Sequence, residues 1–220
     1  MNRTDDFVRA AFATRGWNLE PLPDGQGHRA VFSGAERTWE VYLAEEPDQG
    51  IFRILVLGPL RVPEEHLLRV GEFVLRLNGM IPVGRLDLDF DQRSVRWVVS
   101  LDISAAPPVP DTLGVLVERG LLAVESLWQE LVDLAEGSLR PRQAVNRLQA
   151  RQLIAGDEGL ELGAVTDDHV ELLLEQGDVE AVVARYRAAL GPEVTLSVLQ
   201  ADEGEELYRD EGTLANPSRS

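Results

Sequence analysis

Among its 220 residues the chain has no cysteine. That excludes disulfides, thiolate metal sites and cysteine nucleophiles. Lysine is missing too: all 21 basic residues are arginine, so there is no phosphate-loop lysine, no Schiff-base chemistry and no serine–lysine pair. No apolar run approaches the roughly 20 residues of a membrane span. The opening MNRTDDFVRAAFATRGW also lacks the apolar centre of a signal peptide, so the sequence predicts a cytoplasmic protein without membrane contact. Positive charge is scarce against 38 acidic residues, leaving a formal net charge of -17. A field of that sign repels phosphates and anionic lipid, so direct nucleic-acid binding is not expected. The basic surface of another protein is the better electrostatic match.

What is present is a hydrophobic share of 44%, enough for one cored domain, or one domain and an appendage. TDDFVRAAFATRGW reads as a helix with Thr4 as N-cap, a stripe of Phe7, Val8, Ala11 and Phe12, and a stop at Gly16. Three strands follow: HRAVFSG, then RTWEVYLAEE with Trp39, Val41 and Leu43 on one side and Glu40 and Tyr42 on the other, then IFRILVLGPL, apolar on both sides and so central. VPEEHLLRVGEFVLRLNG is a helix, its apolar set including Leu67, Leu68, Val70, Phe73, Val74, Leu75 and Leu77. VGRLDLDF and SVRWVVSLDIS form a hairpin with Leu86, Leu88 and Phe90 facing one way. A long helix runs from about Thr112 to Glu136 with Asp111 as N-cap. Its apolar face is wider than one sheet face requires, which predicts a homodimer. The order is helix, three strands, helix, two strands, helix: an α+β fold with an antiparallel sheet packed with helices.

The predicted division has this α+β domain over 1–138, a mainly helical C-terminal extension over 139–199, and an acidic, disordered tail over 200–220. Within the extension, RPRQAVNRLQARQLIAG reads as a helix. TDDHVELLLEQGDVEAVVARYRAALG reads as a helix pair hinged at Gly177 and capped by Thr166 and Asp178, and EVTLSVLQ reads as a last strand.

Little in the chain has the spacing of chemistry. Asp87, Asp89 and Asp91 alternate like calcium ligands, but an EF-hand counted from Asp87 needs glycine where Gln92 stands and glutamate where Val98 stands. Strand alternation instead puts Asp87 and Asp89 on one polar face, opposite Arg96. His28, His66 and His169 lack paired metal spacing, and no serine sits in a nucleophile elbow. The residues therefore point to no catalytic, metal or cofactor set. Tyr42 and Glu40, on the polar side of an alternating strand, are the candidate partner-binding surface.

The stretch VLRLNGMIPVG, then RLDLDFDQRSVRWVVSLDIS, then the acidic amphipathic helix resembles the bacterial YbjN-like family. The element order over residues 1 to about 136 is similar to type III secretion chaperones. The resemblance implies a small acidic homodimer that binds other proteins, a non-enzymatic chaperone-like adaptor or regulator. Its partner would be a basic protein, such as a nucleic-acid-binding or stress-response protein. Two other readings stand beside it: a regulator sensing a small ligand between sheet and helices, and a hydrolase using His169 and carboxylates.

Overall fold

The computed structural model describes residues 3–34, 37–106, 108–155, 159–175, 178–190, 193–201 and 206–209. The chain divides into two compact units, 1–136 and 137–220. Among the described residues no helix is long and apolar enough to cross a membrane.

The first unit is α+β. Helix α1 (Arg3–Arg15) precedes β1 (Glu20–Pro21), β2 (Gly27–Ser33), β3 (Thr38–Glu46) and β4 (Ile51–Leu57). Then come α2 (Leu67–Asn78), β5 (Arg85–Asp89), β6 (Ser94–Asp102) and α3 (Pro110–Ala135). The strands form one six-stranded sheet in the order β1-β2-β3-β4-β6-β5, every pair antiparallel. The apolar β4 is interior to it, as its two-sided hydrophobicity predicts.

Strand alternation sorts the side chains into two faces. Trp39, Val41, Leu43, Phe52, Ile54, Val56, Leu86 and Trp97 are buried on one of them. All three helices lie on that side. The ring of Phe7 from α1 meets Phe52 edge-on at 5.3 Å. Asn78, at the end of α2, bonds both the N–H and the carbonyl of Leu86, at 2.7 and 2.9 Å. Helix α3 crosses β4 and β6 at Gly120, where an added Cβ would stand 2.6 Å from the Trp97 ring and 2.8 Å from Val56. Only glycine permits that approach.

Several local expectations change. Thr4 lies inside α1, not at its cap. The long helix starts at Pro110 with Val109 as N-cap, because proline's fixed φ suits the first helical position. Asp111 instead accepts from Arg15 at 2.8 Å. Most of the apolar face of α3 is buried: Leu113, Leu116, Val117, Val124, Leu127, Leu131 and Leu134 are all covered. On α2, Leu68 and Leu75 point outward and are exposed, as is Phe90 beyond the end of β5.

The second unit carries a sheet that the sequence reading did not foresee. Helix α4 (Pro141–Ile154) and helix α5 (Val179–Ala189) match expected helices. With them fold β7 (Leu160–Val165), β8 (His169–Leu174), β9 (Thr195–Gln200) and β10 (Glu206–Arg209), in the order β10-β9-β8-β7. The extension is thus a mixed α/β unit, not a mainly helical one. His169–Leu174, read as the first helix of a pair, is a strand: Val170, Leu172 and Leu174 are buried and the residues between them are not. VELLL fits a period of 2 as well as one of 3.6, and the parallel pairing of β8 with β9 across α5 decides in favour of the strand. The Gly177 hinge lies outside the described residues, and Thr166 bonds Asp168 in a turn. Part of the expected disordered tail is also structured, since Glu206–Arg209 pairs with β9. Residues 202–205 and 210–220 lie outside the described set.

Candidate functional site

The face of the six-stranded sheet away from the helices carries the residues singled out from the sequence. Cross-strand register places Val31, Glu40, Leu57, Arg96 and Asp87 in one row. Arg29, Tyr42, Leu55, Val98 and Arg85 form the next. In the first row Leu57 stands between Glu40 and Arg96, and in the second Leu55 and Val98 stand between Tyr42 and Arg85. Glu40 and Tyr42 come together, as alternation on β3 requires: the Tyr42 hydroxyl donates to Glu40, and the Arg29 guanidinium donates to the other carboxylate oxygen. That bond from Arg29, then the one from Tyr42, holds the Glu40 carboxyl below the usual carboxylate range. The same carboxylate, then burial, pushes the Tyr42 phenol up. At neutral pH the cluster is therefore an arginine–carboxylate pair with a neutral tyrosine donor.

Toward the β5 edge of the same face Arg96 holds both strand aspartates. Its Nε and a terminal nitrogen donate to Asp87 at 3.0 and 2.8 Å, and the other terminal nitrogen donates to Asp89 at 3.0 Å. Asp89 also accepts the backbone N–H of Gln92 at 2.8 Å. That backbone bond, with the Arg96 charge, holds the Asp89 carboxyl low. These aspartates are thus organised around an arginine, the polar-face arrangement predicted from alternation. Glu40, Tyr42, Leu57, Arg61, Asp89 and Arg96 border a cleft of about 430 Å³ between the two charged clusters.

Sequence reasoning missed Arg29, which no local pattern ties to Glu40 until β2 and β3 are paired. It also missed a second cleft, of about 630 Å³, on the helix side of the sheet. There His28 Nε2 lies 2.8 Å from Asp5 Oδ1, and Arg9 donates to Asp5 at 2.9 Å. Burial pushes the His28 imidazole below its ordinary value, against the raising influence of Asp5. The bond from Arg9 holds the Asp5 carboxyl low.

In the second unit His169 does not gather carboxylates. Its Nε2 lies 3.0 Å from the hydroxyl of Ser197, a residue only 1% exposed. Asp167 is bound to Arg140 and Asp168 to Thr166. A serine so deeply buried presents no oxygen to a substrate. Among the described residues no group of three or more potential metal ligands converges.

No protein-family model matches the chain, and no curated protein does. Among solved structures it is similar to the crystal structure of YbjN from E. coli, described as a candidate transcription regulator. The identity is 12% and the TM-score 0.41, over 60% of this chain and 90% of that one. This is a partial likeness of fold and does not place the chain in a family.

Proposed function

We propose that the chain is a non-enzymatic, chaperone-like adaptor of the bacterial cytoplasm that binds a basic protein partner on the helix-free face of its first sheet. Glu40 and Tyr42 lie within the contact. The observation that carries this reading is the composition of that face. Leu55 and Leu57 give a half-buried aliphatic strip, and polar groups already held in place by Arg29 and Arg96 flank it. Apolar centres with ordered polar rims are what protein interfaces use. Pre-pairing also lowers the ordering cost on association. The net charge of -17 steers a basic partner toward the chain and slows an acidic one. We also propose that the adaptor works as a homodimer.

The test is capture of binding proteins from the native cell by the full chain and by a Glu40→Gln, Tyr42→Ala variant, across a salt series. Specifically retained basic proteins should bind the variant about tenfold more weakly, because losing a tyrosine anchor is worth at least 1.4 kcal/mol. Association should slow as salt rises. Capture that is indifferent to both variant and salt defeats the reading, as does tight binding to bare single-stranded DNA.

A further inference from the structure

Strand β5 is an edge of the six-stranded sheet. Its inner side pairs with β6, where Leu86 stands opposite Trp97. On an edge strand every second residue turns its N–H and carbonyl away from the neighbouring strand, which leaves both groups open. Leu86 is such a residue, but its groups are capped by the Asn78 side chain. Oδ1 accepts the Leu86 N–H at 2.7 Å, and Nδ2 donates to the Leu86 carbonyl at 2.9 Å. A carboxamide carries an acceptor and a donor side by side, as a neighbouring strand would present them. The Leu86 side chain is 2% exposed, so the cap sits at the margin of the first core. Seven residues earlier on α2, a Cβ at Gly71 would touch Leu88 at 3.5 Å, so the same helix flank follows β5. Asn78 is the latch between the end of α2 and the sheet edge.

The sequence makes that latch chemically labile once it opens. Of the chain's asparagines, only Asn78 precedes a glycine. A glycine amide has no Cβ beside it to hinder ring closure on the asparagine Cγ. In that closure the Gly79 nitrogen bonds Asn78 Cγ, the Cγ–Nδ2 bond breaks, and Nδ2 leaves as ammonia with the Gly79 amide proton. Water then opens the cyclic imide at one of its two carbonyls, giving aspartate or isoaspartate at position 78. Water is the sole co-reactant. Attack requires the side chain to turn back onto its own backbone, which it cannot do while Leu86 holds both of its polar atoms.

We propose that Asn78–Gly79 is a spontaneous modification site gated by the fold: deamidation is held off while α2 is latched to β5, proceeds when the latch opens, and leaves a product that cannot close it again. The product carboxylate accepts from the Leu86 N–H but has no donor for the Leu86 carbonyl. Isoaspartate also lengthens the backbone at the end of the helix. A carbonyl left unmet beside the core costs stability, and an uncapped β5 edge is open to pairing with another strand. Each opening thus marks a chain once and irreversibly. The inference rests on the contact between α2 and β5 and is independent of the adaptor reading.

Trypsin gives a direct readout. The chain has no lysine, and cuts after Arg76 and Arg85 release the peptide Leu77–Arg85, in which Asn78 is the only side-chain amide. The full chain is incubated at pH 8 in buffer and in urea above its unfolding midpoint. Mass spectrometry then follows conversion of this peptide to its aspartyl and isoaspartyl forms. Conversion should run at least tenfold faster in urea, because modification through a rare open state is slowed by the small population of that state. Gly79→Ala should slow conversion in urea at least fivefold; a Cβ there meets the Arg76 carbonyl at 3.7 Å, an ordinary contact that the fold accepts. Asn78→Asp should lower the urea midpoint at pH 7, and the deficit against the parent chain should shrink toward about pH 4, where protonation returns a donor to the carboxyl. Equal conversion in buffer and in urea overturns the gate, and no conversion in either overturns the site. An Asn78→Asp chain as stable as the parent at pH 7 overturns the one-way product. The rate comparison uses the unmodified chain and stands even where the aspartate variant fails to fold.

Discussion

His28 shows how a single residue ties acid sensitivity to the fold. It is packed between β2 and α1 with Asp5 and Arg9 facing it and Glu45 in the same cleft. Burial lowers its pKa from the ordinary 6.5, so the unfolded chain binds the proton more readily than the folded one. Stability from this group is complete above pH 6.5 and falls as the pH drops through that value toward the folded pKa. Asp5 has a lowered pKa as well, so its contribution is present above the ordinary carboxylate value of 3.8 and is lost as the pH falls through its folded pKa. Two acid-driven losses are therefore expected, His28 first. The urea midpoint of the full chain should fall between pH 7 and pH 5.5, and in His28→Gln that fall should shrink. An identical pH profile in the variant would show that His28 is not held neutral by its surroundings.

At the scale of elements, legibility followed periodicity. Helices α2 and α3 and the β5–β6 hairpin were readable because their apolar residues repeat with one period and no other. The antiparallel order of the first unit followed from them. Glu40 and Tyr42 were readable as the polar side of β3, and Arg96 as the partner of Asp87 and Asp89, since both depend only on alternation and a hairpin. Arg29 and the Asp5–His28 pair were not, because each depends on which elements pack together and nothing local records that. Strand β8 was misread since VELLL satisfies both periods, and β10 because ELYR is short and set among acidic residues. The β10 assignment carries its own prediction. Tyr208 packs partly buried against the second core of Val170, Leu172, Leu196 and Val198. Tyr208→Ala should cost about 1 kcal/mol, the value of partial burial of a large ring. Amides of Ser197 and Leu199, opposite Arg209 and Glu206, should exchange faster in the variant. Unchanged exchange there would mean the terminal strand adds nothing to the unit.

For the whole molecule, charge and apolar surface pull in different directions, and that separates self-association from partner binding. Most apolar residues of helix α3 are buried, so only a small part of the surplus expected there is exposed to a second copy. Among the large apolar residues that stay exposed are Leu68 at 82% and Leu75 at 75% on α2, and Leu122 at 69% on α3. Leu68 and Leu75 are seven residues apart and therefore share one helical face. Leucines at such exposure are the surface a second copy would cover. Two chains of net charge -17 nevertheless repel each other, and salt screens that repulsion over roughly 10 Å at 0.1 M. A homodimer built on these leucines should tighten as salt rises, whereas association with a basic partner should slow. Sedimentation velocity at micromolar concentration should show the dimer fraction growing from about 50 mM to about 500 mM salt, where the screening length shortens severalfold. Leu68→Asp with Leu75→Asp should leave monomer at both salts, with the far-ultraviolet circular dichroism unchanged because both side chains are exposed. A monomer at every salt concentration would reject the homodimer. A dimer untouched by the aspartates would move its interface elsewhere on the chain.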